Sequence, residues 1–150
     1  MQKFVDSGKK LTLLDIQGIG INFPKDLVDL YLHYNGGKVD GEKDFYIDED
    51  NDVEVSVQTF LPMKYKRFEF DTLLEEMYQM FAMDKKLIPI SYIPFAVDYG
   101  GYPYCINTLD HKIYIGYMDD YDGTPESTIR FISNSLAEFI DGMMSESEAY

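Results

Sequence analysis

Twenty-seven carboxylates, two histidines and a single cysteine are the groups in this 150-residue chain with which chemistry could be done. The most suggestive spacing is that of Asp48, Asp50 and Asp52, the alternating oxygens that begin an EF-hand calcium loop. The loop is not completed: its sixth position needs Gly and holds Val53, and its twelfth needs a bidentate Glu and holds Thr59. Asp119, Asp120 and Asp122, ahead of Gly123, share no such register, so both runs read as solvated acidic turns. Cys105, His33 and His111 cannot fill a zinc pattern without recruited carboxylates. No metal and no cofactor is expected.

Nucleophilic chemistry fares no better. Cys105 falls in mid-strand, with Lys112 across a hairpin as the nearest cation, and reads as an inert buried thiol. His33 has neither an orienting carboxylate nor a nucleophile that the spacing identifies, and reads as a half-exposed structural residue. His111 lies in a turn. Gly18-Ile19-Gly20 lacks the further Gly, the Lys and the strand-to-helix setting of a phosphate cradle. No catalytic residue emerges, and an enzyme is not expected.

What remains is surface. Tyr99, Tyr102, Tyr117 and Tyr121 fall near turns beside Asp98, Asp119, Asp120 and Asp122, mixing large rigid anchors with charge as protein interfaces do. The same tyrosines could equally cover the edge of the core with their hydroxyls in water. A formal charge of −14 argues against nucleic acid, whose binding rests on cations that neutralise phosphates. It points to a basic protein partner, or simply to solubility.

The elements that must position these groups follow from periodicity. Leu27, Leu30, Tyr31 and Tyr34 share one face of a helix that Pro24 opens at its first position and Asn35-Gly36-Gly37 stops, with Gly36 at positive φ. Phe45–Ile47 and Val53–Val57 form a hairpin around the acidic run. Thr72 and Glu75 have the spacing of a capping box ahead of a Leu73, Leu74, Met77, Tyr78, Phe81 stripe. Ile93–Val97, Tyr102–Asn107 and Lys112–Tyr117 read as an antiparallel meander, and Thr128–Ile132 as a short extended piece. A second box, Ser135 and Glu138, opens a last helix whose inner face is expected to hold Ile132, Leu136, Phe139, Ile140 and Met143.

The expectation is an α+β fold: one domain over residues 1–150, three to four helices on an antiparallel-rich sheet, with mixed pairing left open. Residues 1–21 should be partly irregular and 144–150 frayed. No apolar run reaches the roughly 20 residues of a membrane span. The start Met1-Gln2-Lys3-Phe4-Val5-Asp6 lacks a secretory pattern, so a cytoplasmic chain is expected.

A Pro-led helix ending Tyr31-Leu32-His33-Tyr34-Asn35-Gly36-Gly37, then Ile88-Pro89 and Pro94-Phe95-Ala96-Val97-Asp98-Tyr99-Gly100-Gly101, then Ser135-Leu136-Ala137-Glu138-Phe139-Ile140, resembles the SUKH superfamily in order and spacing from about Asn22 to Met143. That group takes in bacterial toxin-immunity proteins, the Syd protein and fungal cell-wall regulators. Its motif would fall here on Pro24, Asn35, Gly36, Gly37, Pro94, Gly100 and Gly101, as structural positions. Many members carry a longer acidic helix before the proline. Gly18 and Gly20 make any helix there short or frayed. The resemblance implies an immunity protein that binds a basic, nuclease-type toxin, or a regulatory scaffold. A small-molecule enzyme is the weaker third reading. Asp98, Tyr99, Tyr117, Asp119, Asp120, Tyr121 and Asp122 are the expected contact residues.

Overall fold

Apolar runs between residues 92 and 133 supply four strands of the central five-stranded sheet, and residues 59–60 the fifth, with apolar clusters on both faces. The computed structural model describes residues 2–150. In chain order it holds β1 (Phe4–Val5), α1 (Leu13–Gln17), α2 (Lys25–His33), β2 (Lys38–Val39), β3 (Phe45–Asp48), β4 (Val53–Ser56) and β5 (Thr59–Phe60). There follow α3 (Leu74–Tyr78), β6 (Tyr92–Val97), β7 (Pro103–Asn107), β8 (Ile113–Gly116), β9 (Ile129–Ser133), α4 (Leu136–Asp141) and α5 (Glu146–Ala149). The sheet order is β5-β6-β7-β8-β9, and β1-β2 and β3-β4 form separate ribbons. Every strand pair among the described residues is antiparallel, which resolves the pairing that the sequence left open.

The α2 face packs as its spacing requires, with Leu27, Leu30 and Tyr31 buried. The Tyr31 hydroxyl is satisfied by donating to the carbonyls of Leu61 (2.6 Å) and Phe95 (3.1 Å). Burial pushes its pKa far above the usual tyrosine range. From α4, Phe139 sits among the rings of Tyr46, Phe60, Phe95 and Tyr104, at centroid distances of 5.1, 6.5, 6.1 and 5.4 Å. Pro94 cannot donate to a ladder, and β6 shifts register between Pro94 and Ala96, which places it at a bulge. Cys105 lies on the other face with Ile88 and Ala82, fully buried, under a π-helical turn (Gln79–Asp84) that continues α3.

Several local expectations are corrected. Pro24 caps α2 from outside, and the helix ends at His33, so Asn35 is not its last turn. His33 lies on the exposed side of α2, with Nδ1 2.8 Å from the Asp29 carbonyl oxygen. The buried Asn35 amide staples distant chain together. Its Nδ2 donates to the carbonyls of Lys9 (2.8 Å) and Met63 (3.0 Å), and its Oδ1 accepts from the Met63 amide (2.7 Å). Gly36 and Gly37 do take positive φ, 76° and 112°, because the chain here threads between two backbones. A Cβ on Gly36 would stand 2.7 Å from the Phe60 carbonyl oxygen, and one on Gly37 would strike that of Val5.

The Thr72–Glu75 box does not form. Leu73 holds the cap position, the Leu74 amide donates to the Pro62 carbonyl (2.8 Å), and Glu76 accepts from the Leu73 amide (2.9 Å). Glu75 accepts instead from the Lys64 amide (2.9 Å). Of the Ser135–Glu138 box only half forms: Ser135 caps α4 through the Glu138 amide (3.1 Å) without the reciprocal bond to the Glu138 side chain, and Ile132 precedes the helix in β9. Five α-helices are present among the described residues, one more than the upper expectation, because a helix forms over Glu146–Ala149 within the stretch expected to fray. Met144 bridges to Phe45, Ser145 and Glu148 form a capping box for α5, and the Tyr150 hydroxyl donates to Glu54.

Candidate protein-interaction face

An antiparallel meander puts the β6–β7 turn beside the exit of β8, since Tyr104 faces Ile115 in register. The two tyrosine-and-aspartate segments, 98–102 and 117–122, therefore meet at one end of the sheet. Asp98 builds the first: its Oδ1 accepts the amides of Gly100 (2.9 Å) and Tyr102 (2.8 Å), an Asx-type turn completed by Gly101 at φ 86°. Tyr102 crosses to the second. Its ring meets Tyr117 edge-on at 5.3 Å, and its hydroxyl donates to Asp119.

The second segment holds its own shape. Asp120 accepts from Arg130 on β9 (3.1 Å). The Asp122 amide donates to Ser127 Oγ (3.1 Å), while its carboxylate accepts from the amide (3.3 Å) and hydroxyl (3.2 Å) of Thr124. Tyr121 stays free at 42% exposure. Tyr99, 58% exposed, instead donates to Asp44 (2.7 Å) across a neighbouring groove. The seven expected contact residues thus share one end of the molecule, with Asp98 spent on the turn. Asp44 and Arg130 belong to the same network. Sequence spacing offered no signal for either, because each reaches it from a separate element.

Three phenols of this face are held above the ordinary tyrosine range. Asp44's hydrogen bond, followed by burial, pushes Tyr99 up to about 12. The bond to Asp119 raises Tyr102, and burial, with Asp98 nearby, raises Tyr117. Segment 117–130 carries Asp119, Asp120, Asp122 and Glu126 against Arg130.

The other acidic run has a different character. Residues 49–51 form a 3-10 turn at the tip of the β3–β4 hairpin, where Asp48 accepts from Asn51 Nδ2 (2.7 Å) and Asp52 is left-handed at φ 55°. It presents charge without an aromatic anchor. No group of three or more His, Cys, Asp and Glu residues is placed to hold a metal ion among the described residues. No helix of the described residues is long and apolar enough to cross a membrane.

A protein-family model described as the SMI1 / KNR4 family (SUKH-1) matches residues 16–142. That span includes α2, the central sheet and α4, and stops short of α5. No curated protein matches the chain.

Proposed function

The chain belongs to the SMI1 / KNR4 family (SUKH-1), and from that premise we propose that it is a non-enzymatic immunity protein that neutralises a basic, nuclease-type toxin by direct binding in the cytoplasm. The observation that carries the reading is the acidic end of the sheet, where Asp119, Asp120 and Asp122 surround the exposed Tyr121 on a chain of net charge −14. A nuclease is basic around its substrate groove. An acidic face can occupy such a groove, with association accelerated by the long-range field and dissociation slowed by desolvated aromatic anchors. A regulatory scaffold would use the same surface and leave its partner's activity unblocked.

The test uses a candidate basic, nuclease-type toxin domain. Asp119→Lys combined with Asp122→Lys should slow association about tenfold or more at low salt, and by much less at high salt, where fields decay within ~8 Å or less. Tyr121→Ala should raise the off-rate and leave the on-rate nearly unchanged. Unchanged association at low salt rules this face out; binding with full toxin activity retained moves the assignment to the scaffold.

A further inference from the structure

The loop between β5 and α3 holds Phe68 and Phe70 in water, at 61% and 87% exposure. The loop is pinned rather than loose. Arg67 meets Asp71 at two points, Nε to Oδ2 at 2.7 Å and Nη2 to Oδ1 at 2.9 Å, and its Nη1 also donates to Thr59 Oγ1 (2.9 Å) and the Phe60 carbonyl (3.3 Å). Asp71 accepts the amides of Arg67 (3.1 Å) and Thr72 (3.0 Å) as well. The clamp closes residues 67–71 into a fixed bend, with the pair almost shut off from water, the Phe68 ring 5.8 Å from the Arg67 guanidinium and the Phe70 ring outside it. At the loop's other end Lys64 is braced by Asp15 (2.8 Å). Nothing in the packing of the core needs Phe68 or Phe70 to be aromatic. Large apolar side chains on a fixed backbone lose little freedom on binding, and such groups act as interface anchors.

The rings border a groove of about 740 Å³ floored by Leu61, Met77 and Val97 and closed at one side by Gly101. Gly101 belongs to the turn that carries Asp98 and Tyr102, and Tyr102 touches Asp119. The aromatic loop and the acidic end of the sheet are therefore neighbours across one groove. The charge of the whole chain indicates the occupant, because the lining of the groove is itself balanced: Arg67 is neutralised by Asp71, and Asp6 stands against Lys38. A second copy would bring −14 against −14, and an anionic lipid surface would be repelled likewise.

We infer that Phe68 and Phe70 are the apolar anchors of the interface whose acidic part lies at Asp119–Asp122, and that they receive an apolar segment of a basic partner protein flanked by Lys or Arg. The inference rests on the partner-binding reading above and adds to it the part of the surface that sets the dissociation rate.

The test is site-specific photocrosslinking of the full chain in the cells that make it. Benzoylphenylalanine replaces Phe70, Tyr121 or Leu109 in turn. Leu109, 83% exposed in the β7–β8 turn at the far end of the sheet, is the control. Positions 70 and 121 should yield adducts with one and the same protein, of isoelectric point above about 9, and position 109 should not. With that protein purified, Phe68→Ala combined with Phe70→Ala should raise the off-rate about tenfold or more and hold the on-rate within about twofold. Both side chains are largely exposed, so the thermal midpoint should fall by no more than about 2–4 °C, the cost of the Phe68 contact with Arg67. No adduct at position 70, an adduct there with a second copy or with a protein that position 121 does not reach, or an unchanged off-rate overturns the anchor role. Of these, a basic adduct at 121 alone leaves the acidic-face reading standing, whereas an acidic protein at both positions removes the two together.

Discussion

Replacing Asn35 with Ala removes the one side chain that ties the N-terminal arm, the exit of α2 and the chain after β5 to each other. Three hydrogen bonds disappear: two donated to the carbonyls of Lys9 and Met63, and one accepted from the Met63 amide. A net of about 1 kcal/mol for each, with about 1–2 kcal/mol more for leaving the Met63 amide dry, gives a loss of about 4 kcal/mol. For a domain of this size that lowers the thermal midpoint by roughly 10 °C. Urea melts followed by circular dichroism should show a lower midpoint at unchanged m-value, while Asn22→Ala, at an exposed position, should stay within about 0.5 kcal/mol of wild type. Asn35→Asp sharpens the test. Its carboxylate keeps the Met63 amide but faces two carbonyl oxygens, so its folded pKa rises above the unfolded value near ~4. A raised acid contributes stability below the unfolded pKa and loses it as pH rises through the folded pKa, so this variant should be less impaired at about pH 4 than at pH 7. A midpoint for Asn35→Ala within about 2 °C of wild type would refute the staple.

Gly36→Val should destabilise by more than about 1 kcal/mol, since positive φ and the Phe60 carbonyl both oppose a Cβ, whereas Lys38→Val, on the exposed side of β2, should do little by the same melts. Asp71→Asn should cost about 3 kcal/mol by stranding Arg67 beside Thr59 and Phe60. Burial raises the Asp71 carboxyl, but Arg67 and two amides outweigh it and hold it below the usual range; its stabilisation is therefore full above the unfolded pKa near ~4 and fades as pH falls through the folded pKa, so the variant's stability profile should be flatter than wild type below about pH 4. Burial raises the Cys105 thiol far above its ordinary value, so native protein should resist a thiol-reactive disulfide reagent at pH 8 and react once unfolded by urea.

The parts of the fold legible in the sequence are those whose signal is local and periodic. The i, i+3, i+4 face of α2, the β6–β8 meander and the inner face of α4 each have enough residues for the period to show. The two-residue strands β1, β2 and β5 have no period to read and exist only through their distant partners. The Asn35 staple depends on Met63, 28 positions later. At Thr72 the capping pattern was present but lost the competition, because the Pro62 carbonyl took the Leu74 amide and Lys64 took Glu75. The cap at Ser145 and Glu148 was legible from its spacing, and the polar composition of the tail masked it. In the candidate interface, tyrosines near turns were visible as a pattern. The clamp that fixes the loop of Phe68 and Phe70 was not, since nothing local in the sequence marks Arg67 and Asp71 for burial.

The claim that this chain acts by binding a basic toxin through its acidic, tyrosine-bearing end is tested most directly by survival of cells that co-express it with a candidate basic, nuclease-type toxin domain. Wild-type protein should protect fully. A triple variant, Asp119→Lys, Tyr121→Ala and Asp122→Lys, matched to wild type in abundance and thermal midpoint, should fail to protect. Full protection by that variant would contradict the account.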